Sequence, residues 1–143
     1  TWSVLSAFNA IGIPPEDEAV RKAVAWLNLQ QRADGGWGED GATYWQEHKG
    51  LAKTSTPTQT SWALLALMAA GDTDSDVVRA GIEYLMDSPH ADGKWDEKHY
   101  NAVGFPKVFY LMYHGYPVYF PLWALARYRR LRDGNAKTTS FGM

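Results

Sequence analysis

The chain has 143 residues, enough for one domain with a single core. Lys plus Arg number 14 against 16 for Asp plus Glu, a net charge of −2, which argues against the basic face of a nucleic-acid binder. The absence of cysteine excludes disulfides, thiolate zinc sites and a cysteine nucleophile. The longest apolar run, Trp62 to Ala70, is nine residues, well short of the ~20 that a membrane-spanning helix needs. Seven Trp, eight Tyr and five Phe raise the aromatic share to 14%, which calls for an explanation beyond ordinary packing.

In chain order, TWSVLSAFNAIG (1–12) opens inside a helical pattern, as a piece of a longer protein would, and stops at Gly12 before Pro14-Pro15. A second segment is striped at helical spacing by Val20, Val24, Leu27 and Gln31, with Arg21, Lys22 and Asn28 between them. It runs into a Gly35-x-Trp37 turn. A long stretch, 38–56, follows without periodicity, and a loop of that length in a compact domain is usually functional. The unit then recurs. TSWALLALMAAG (60–71) aligns with 1–12 at an offset of 59, and AGIEYLMDSPHADGKW (80–95) aligns with KAVAWLNLQQRADGGW (22–37) at 58, Gly93 and Trp95 answering Gly35 and Trp37. A third copy begins at PLWALARYRR (121–130), with Trp123 in the place of Trp62. Pro106, Pro117 and Pro121 divide the region before it into a short helix over about 106–115 and another from about 119. Nothing alternates with period two, so no strand is expected. The expected fold is all-α, inner apolar helices paired with outer amphipathic ones over 1–133, with a polar, frayed tail at 134–143.

Four patterns carry chemistry. In the Gly-x-Trp unit, Gln31 can hydrogen-bond backbone at a neighbouring helix end while the Trp37 indole folds back on it, a structural staple. The second unit carries Pro89 where the glutamine belongs, which puts stapling by Trp95 in doubt. Asp72, Asp74 and Asp76, with Glu83, match an EF-hand loop at four positions, but Val77 stands where the loop needs glycine, so the carboxylates read better as a helix start. His48, His90, His99 and His114 are scattered, and no metal site is expected. Glu39, Asp40, Asp96 and Glu97 follow the two turns as solvated acidic pairs, or as the paired carboxylates of a carbohydrate-active α/α-barrel. Phe105, Phe109, Tyr113 and Tyr116, spaced by four, four and three, fall on one helix face; such a stripe is either core or a π-lined wall able to stabilise carbocations.

The segment at 22–37 resembles the QW repeat of the triterpene cyclases, and STPTQTSWALLAL (55–67) with VGFPKVFYLMYHGYPVYFPLWALARYRR (103–130) resembles the C-terminal end of the bacterial squalene–hopene cyclases. The resemblance implies a partial α/α-barrel, or toroid, of inner and outer helices stapled by Gln31, Gly35, Trp37, Gly93 and Trp95. It implies an isomerase acting on squalene or a related linear triterpene, with Phe105 and Phe109 as cation stabilisers and Tyr44, Tyr113 and Tyr116 shaping the substrate pocket. It implies no cofactor and no metal. The family's protonating Asp-x-Asp-Asp motif does not occur in this chain, so the acid is expected in the remainder of the cyclase chain, and the piece alone should be inactive. Bare inner-helix surface would favour a homodimer, and the family's place is at the cytoplasmic side of the membrane as a peripheral or monotopic protein. Two rival readings are a non-catalytic α/α-repeat module that binds an apolar or protein ligand and the carbohydrate-active barrel.

Overall fold

A computed structural model describes residues 1–48 and 54–133; the expected tail at 134–143 and part of the long loop lie outside the described residues. Five helices carry the fold: α1 (Trp2–Ala10), α2 (Glu18–Gln30), α3 (Pro57–Ala69), α4 (Asp76–Asp87) and α5 (Tyr116–Arg132). Short 3-10 turns occupy Gly41–Tyr44 and Gln46–His48 in the long loop. Two strands, β1 (Ala102–Phe105) and β2 (Phe109–Leu111), pair as an antiparallel hairpin.

The repeat expected from sequence is present down to its hydrogen bonds. The caps of α2 and α4, Asp17 and Ser75, are 58 residues apart; Asp17 accepts from the Ala19 N–H and Ser75 from the Val78 N–H. The ends of α1 and α3 match at an offset of 59: Ile13 N–H donates to Phe8 O, and Asp72 N–H to Leu67 O, each past a glycine. The Asp run is thus a helix start in which Ser75 is the cap. Asp72 accepts the Ser75 N–H, and Asp76 sits in the first turn of α4 beside Arg79.

Helix α3 is the hub. Eleven of its thirteen residues are buried, and it packs against each of the other four helices. Thr56 caps it and Pro57 fixes its first turn, while its C-terminal half is an unbroken apolar run, Ala63 to Ala69. Helix α1, expected to be an equally buried inner helix, is not one in this chain. Only Leu5 is buried: the helix packs on α3 and to a lesser extent on α2, and its first residue, Trp2, meets Phe120 and Trp123 of α5.

The two Gly-x-Trp turns superimpose bond for bond. Arg32 N–H donates to Gly36 O and Gly35 N–H to Arg32 O; His90 N–H donates to Lys94 O and Gly93 N–H to His90 O. Gly35 and Gly93 hold φ of 83° and 77°, a region open mainly to glycine. Trp37 Nε1 donates to Leu27 O at 2.8 Å, and Trp95 Nε1 to Leu85 O at 2.9 Å. The doubt about Trp95 is therefore removed, and the reason lies in the backbone. In the first unit the N–H of Gln31 turns to Asn28 O, which leaves Leu27 O free for the indole. In the second, Pro89 has no N–H, so Leu85 O is free in the same way. The missing glutamine costs only the amide contacts, which in the first unit join Gln31 Nε2 to Gly35 O and to Val77 O on α4.

Two further expectations change. The segment 106–115 is not a helix: Pro106 and Lys107, the latter at φ 66°, turn the chain between β1 and β2. Helix α5 begins at Tyr116, three residues earlier than expected, with Pro117 in its first turn and Pro121 tolerated inside it.

The matched staples predict that Trp37→Phe and Trp95→Phe, which keep most of the ring but remove the donor, each destabilise by about 1–3 kcal/mol, the cost of a buried carbonyl left unpaired. Gln31→Leu should add to the loss only in the first unit. Urea melts of the chain measure this, and a silent Trp95→Phe would remove the second staple.

Candidate functional site

The aromatic residues singled out from sequence do not share a helix face. The hairpin and the start of α5 divide them. Phe105 ends β1 and Phe109 begins β2, paired across the turn with ring centroids 5.6 Å apart at 63°. Phe109 also lies over Gly104, where a Cβ would stand 1.9 Å from the ring. Both rings face outward, Phe105 being 64% and Phe109 45% exposed, so within this chain they are not core.

Tyr113 precedes α5 and stacks on Tyr116, its first residue, at 4.8 Å and 21°. Tyr116 then meets Trp62 of α3 and Phe120 of α5 edge-on, and Trp62 stacks 6.2 Å from Trp2 of α1. This second aromatic group ties three helices together. Trp62 and Phe120 were not singled out as site residues, because a Trp on an apolar helix reads as core. Tyr44 meets neither group directly. Its ring lies 6.1 Å from Tyr110 of β2, and the Tyr110 hydroxyl accepts from Lys107 N–H and donates to Gly41 O. Tyr110 thereby fastens the hairpin to the long loop, a role the aromatic spacing did not signal.

A groove of about 790 Å³ opens between α1, α2, α3 and the segment after Trp37. Trp2, Trp26, Trp37 and Trp62 line it, with Gln59 and Thr43 among its polar groups. Phe105, Phe109, Tyr44, Tyr113 and Tyr116 do not; the groove reaches the second aromatic group through Trp2 and Trp62.

The polar N-terminal half of α3 holds both Gly-x-Trp turns. Thr60 Oγ1 accepts the Trp37 N–H at 2.9 Å and donates to Trp37 O, and Gln59 bonds both backbone groups of Glu39. On the other side Thr58 Oγ1 donates to Glu97 Oε2. Glu97 was expected to be solvated, yet it is buried. Its Oε1 makes no hydrogen bond of good geometry among the described residues, with the Thr56 hydroxyl and the Asn101 amide beside the carboxyl. Burial pushes the Glu97 carboxyl above the usual range, against the opposing pull of the hydroxyls, Asn101 and the nearby charge of His99. The phenol of Tyr84, on α4, is pushed up to about 12, first by burial and then by the charges of Asp34 and Glu97. A carboxyl locked against Thr58 is a poor half of a glycosidase pair, and Asp40 caps the 3-10 turn at Ala42. Among the described residues no three His, Asp or Glu side chains converge as a metal site would.

The sequence model of the family described as "Squalene-hopene cyclase C-terminal domain" matches residues 1–130. The squalene–hopene cyclase of Bradyrhizobium diazoefficiens is 54% identical over all of this chain, which covers 22% of that protein. That of Alicyclobacillus acidocaldarius is 43% identical over 91% of the chain and 28% of its own length, and the lanosterol synthase of Mus musculus is 35% identical over 94% and 19%. The chain thus spans about a fifth to a quarter of the curated relatives it matches.

The buried carboxyl sets a pH dependence. Unfolded Glu97 titrates near ~4.3, and its folded form titrates higher. The stabilising bias toward the protonated form is therefore complete below about pH 4.3 and is lost as pH rises through the folded value. Glu97→Gln should remove that slope and gain stability relative to the wild type as pH rises. Urea midpoints at several pH values test this, with a constant difference between the two proteins as the contrary result.

Proposed function

Because the chain belongs to the squalene–hopene cyclase C-terminal domain family, we propose that it forms the C-terminal part of a triterpene cyclase, an isomerase-type enzyme that folds squalene or a related linear polyene and closes its rings. The observation that carries the finer reading is the exposed Phe105–Phe109 pair on the hairpin. Large rings turned outward need something apolar or cationic to face.

The chemistry follows from what a phenyl face can do. Protonation of a polyene starts a chain of carbocations that must reach the last ring before anything traps them. A ring face attracts a desolvated cation by about 2 kcal/mol without supplying a lone pair that would quench it. Phe105 and Phe109 fill that role for the later cations, and Tyr113, Tyr116 and Tyr44 shape the space. The chain's nearest approach to the family's Asp-x-Asp-Asp acid, Asp72-x-Asp74-x-Asp76, is occupied with starting α4, so the initiating proton comes from the remainder of the cyclase chain. Addition and loss of a proton, or capture of water, complete the reaction without a cofactor.

In the whole protein the helix pairs α1–α2 and α3–α4 take their places as inner and outer members of an α/α toroid. The same assembly covers the exposed apolar residues Val4 of α1, Ile11 just past its end, and Leu122 and Trp123 of α5; a homodimer of the isolated piece would cover some of them. No described helix is long and apolar enough to cross a membrane. By the family resemblance alone we propose a peripheral or monotopic place at the cytoplasmic side, from which an apolar substrate can be drawn out of lipid.

In the full-length protein, Phe109→Leu should slow passage through a late cation by about thirtyfold, the equivalent of ~2 kcal/mol, and partly cyclised products should accumulate. Phe109→Tyr keeps the ring face and should keep the product. Gas chromatography of the hydrocarbons decides it; clean product from the Leu variant at the normal rate would make Phe109 a packing residue. The isolated 143-residue chain should give no cyclised product from squalene, and hopene formed by it would overturn the division of roles.

A further inference from the structure

Glu97 is out of place as a surface carboxylate. It follows the second Gly-x-Trp turn, at an offset of 58 from Glu39, yet the Glu39 carboxyl takes the hydroxyl of Thr43 in its own exposed loop, whereas the Glu97 carboxyl reaches Thr58 of the buried helix α3. What lies on either side of it gives the reason. Toward α3, its Oε2 takes the hydroxyl of Thr58, a residue with no exposed surface. Toward the hairpin, Asn101 lies beside its carboxyl and is itself buried. Asn101 clamps the open end of the hairpin: its N–H donates to Leu111 O, its Nδ2 donates to Tyr113 O at 3.0 Å, and its Oδ1 accepts the Tyr113 N–H at 2.8 Å. The clamp closes a ladder whose far end bears Phe105 and Phe109.

A two-stranded hairpin has little stability of its own. Its exposed rings gain a fixed position through its anchors: Tyr110 bonds Gly41 of the long loop, and the base meets α3 both through the Tyr113–Tyr116 stack against Trp62 and through the Glu97 carboxyl on Thr58. We propose that Glu97 is a positioning residue for the aromatic hairpin, joining Thr58 of α3 to the Asn101–Tyr113 clamp and so setting where the rings of Phe105 and Phe109 stand. The residue touches no substrate and acts through the clamp. This inference rests on the reading of the two rings as the cation-facing wall.

Burial and an oxygen left without a well-formed bond both disfavour the ionised form. As the acceptor of the Thr58 hydroxyl, the carboxyl strut can be replaced by an amide of the same shape and not by a hydrocarbon.

The test uses the full-length protein with squalene and three variants, Glu97→Gln, Glu97→Leu and Thr58→Val, the last removing only the hydroxyl at nearly constant volume. The Gln variant should keep the wild-type product pattern. The Leu and Val variants should raise the share of partly cyclised hydrocarbons by about tenfold, as loss of one hydrogen bond permits, while consumption of squalene changes less than about threefold. Should the Leu variant fail to fold, the Val variant carries the same expectation. In parallel, 4-fluorophenylalanine at 105 and 109 reports ring position by 19F NMR without reference to activity. Its resonances should move in the Val variant and stay in the Gln variant. Wild-type protein that makes no cyclised triterpene would contradict the functional reading, and the fluorine shifts would still decide the strut. Clean product and unmoved resonances with Thr58→Val, or a Gln variant that behaves like Leu, would overturn the proposal.

Discussion

The structure depends on how the polar first half of α3 can be buried. A helix start leaves backbone N–H groups without partners, and Thr56, Thr58, Thr60 and Ser61 add hydroxyls in a place water does not reach. Each is answered. Thr56 caps the helix, Ser61 bonds back to Pro57 O, Thr60 exchanges bonds with Trp37, and Thr58 takes Glu97. The partners of Thr60 and Thr58 come from the segments that follow α2 and α4, so both repeats are registered on one helix. Gly36 and Gly38 carry the first turn so close to Ser55 and Thr54 that added side chains would collide with them. Everything downstream, the hairpin included, is placed relative to this hub.

The repeat was legible because its chemistry is local. A glycine with positive φ, an aspartate that accepts the N–H two residues on, and a tryptophan that reaches back ten residues to a helix-end carbonyl recur at a fixed offset. The role of Pro89 was misread because a side-chain comparison hides a backbone fact: the N–H that proline lacks is one the first repeat does not spend on Leu27. Misreading the hairpin has a different cause. Spacings of four, four and three place rings on one helix face, but a proline and a residue at positive φ between Phe105 and Phe109 leave a turn as the only compact path. Gly104 beneath the Phe109 ring was the further signal.

Burial was less legible than element type. Glu97 and Glu39 look alike in sequence, and only the distant Thr58 separates them. Helix α1 and the C-terminal half of α3 share composition, yet α3 packs along four helices, whereas α1 packs on α2 and α3 and meets α5 through the Trp2 ring. Non-local packing decides both cases, and no window of sequence contains it. The site divided similarly. Phe105 and Phe109 came together as a pair, Tyr113 and Tyr116 as another, while Tyr44 is joined to the hairpin through Tyr110.

On the proposed function, the hairpin presents aromatic faces to a cation rather than filling a core. A crystal structure of the full-length protein with an aza-analogue of squalene, an amine placed where a late carbocation would form, tests it most directly. The ammonium is expected within about 6 Å of the ring centroids of Phe105 and Phe109, over their faces. Rings packed against neighbouring helices, with the ammonium elsewhere, would contradict it.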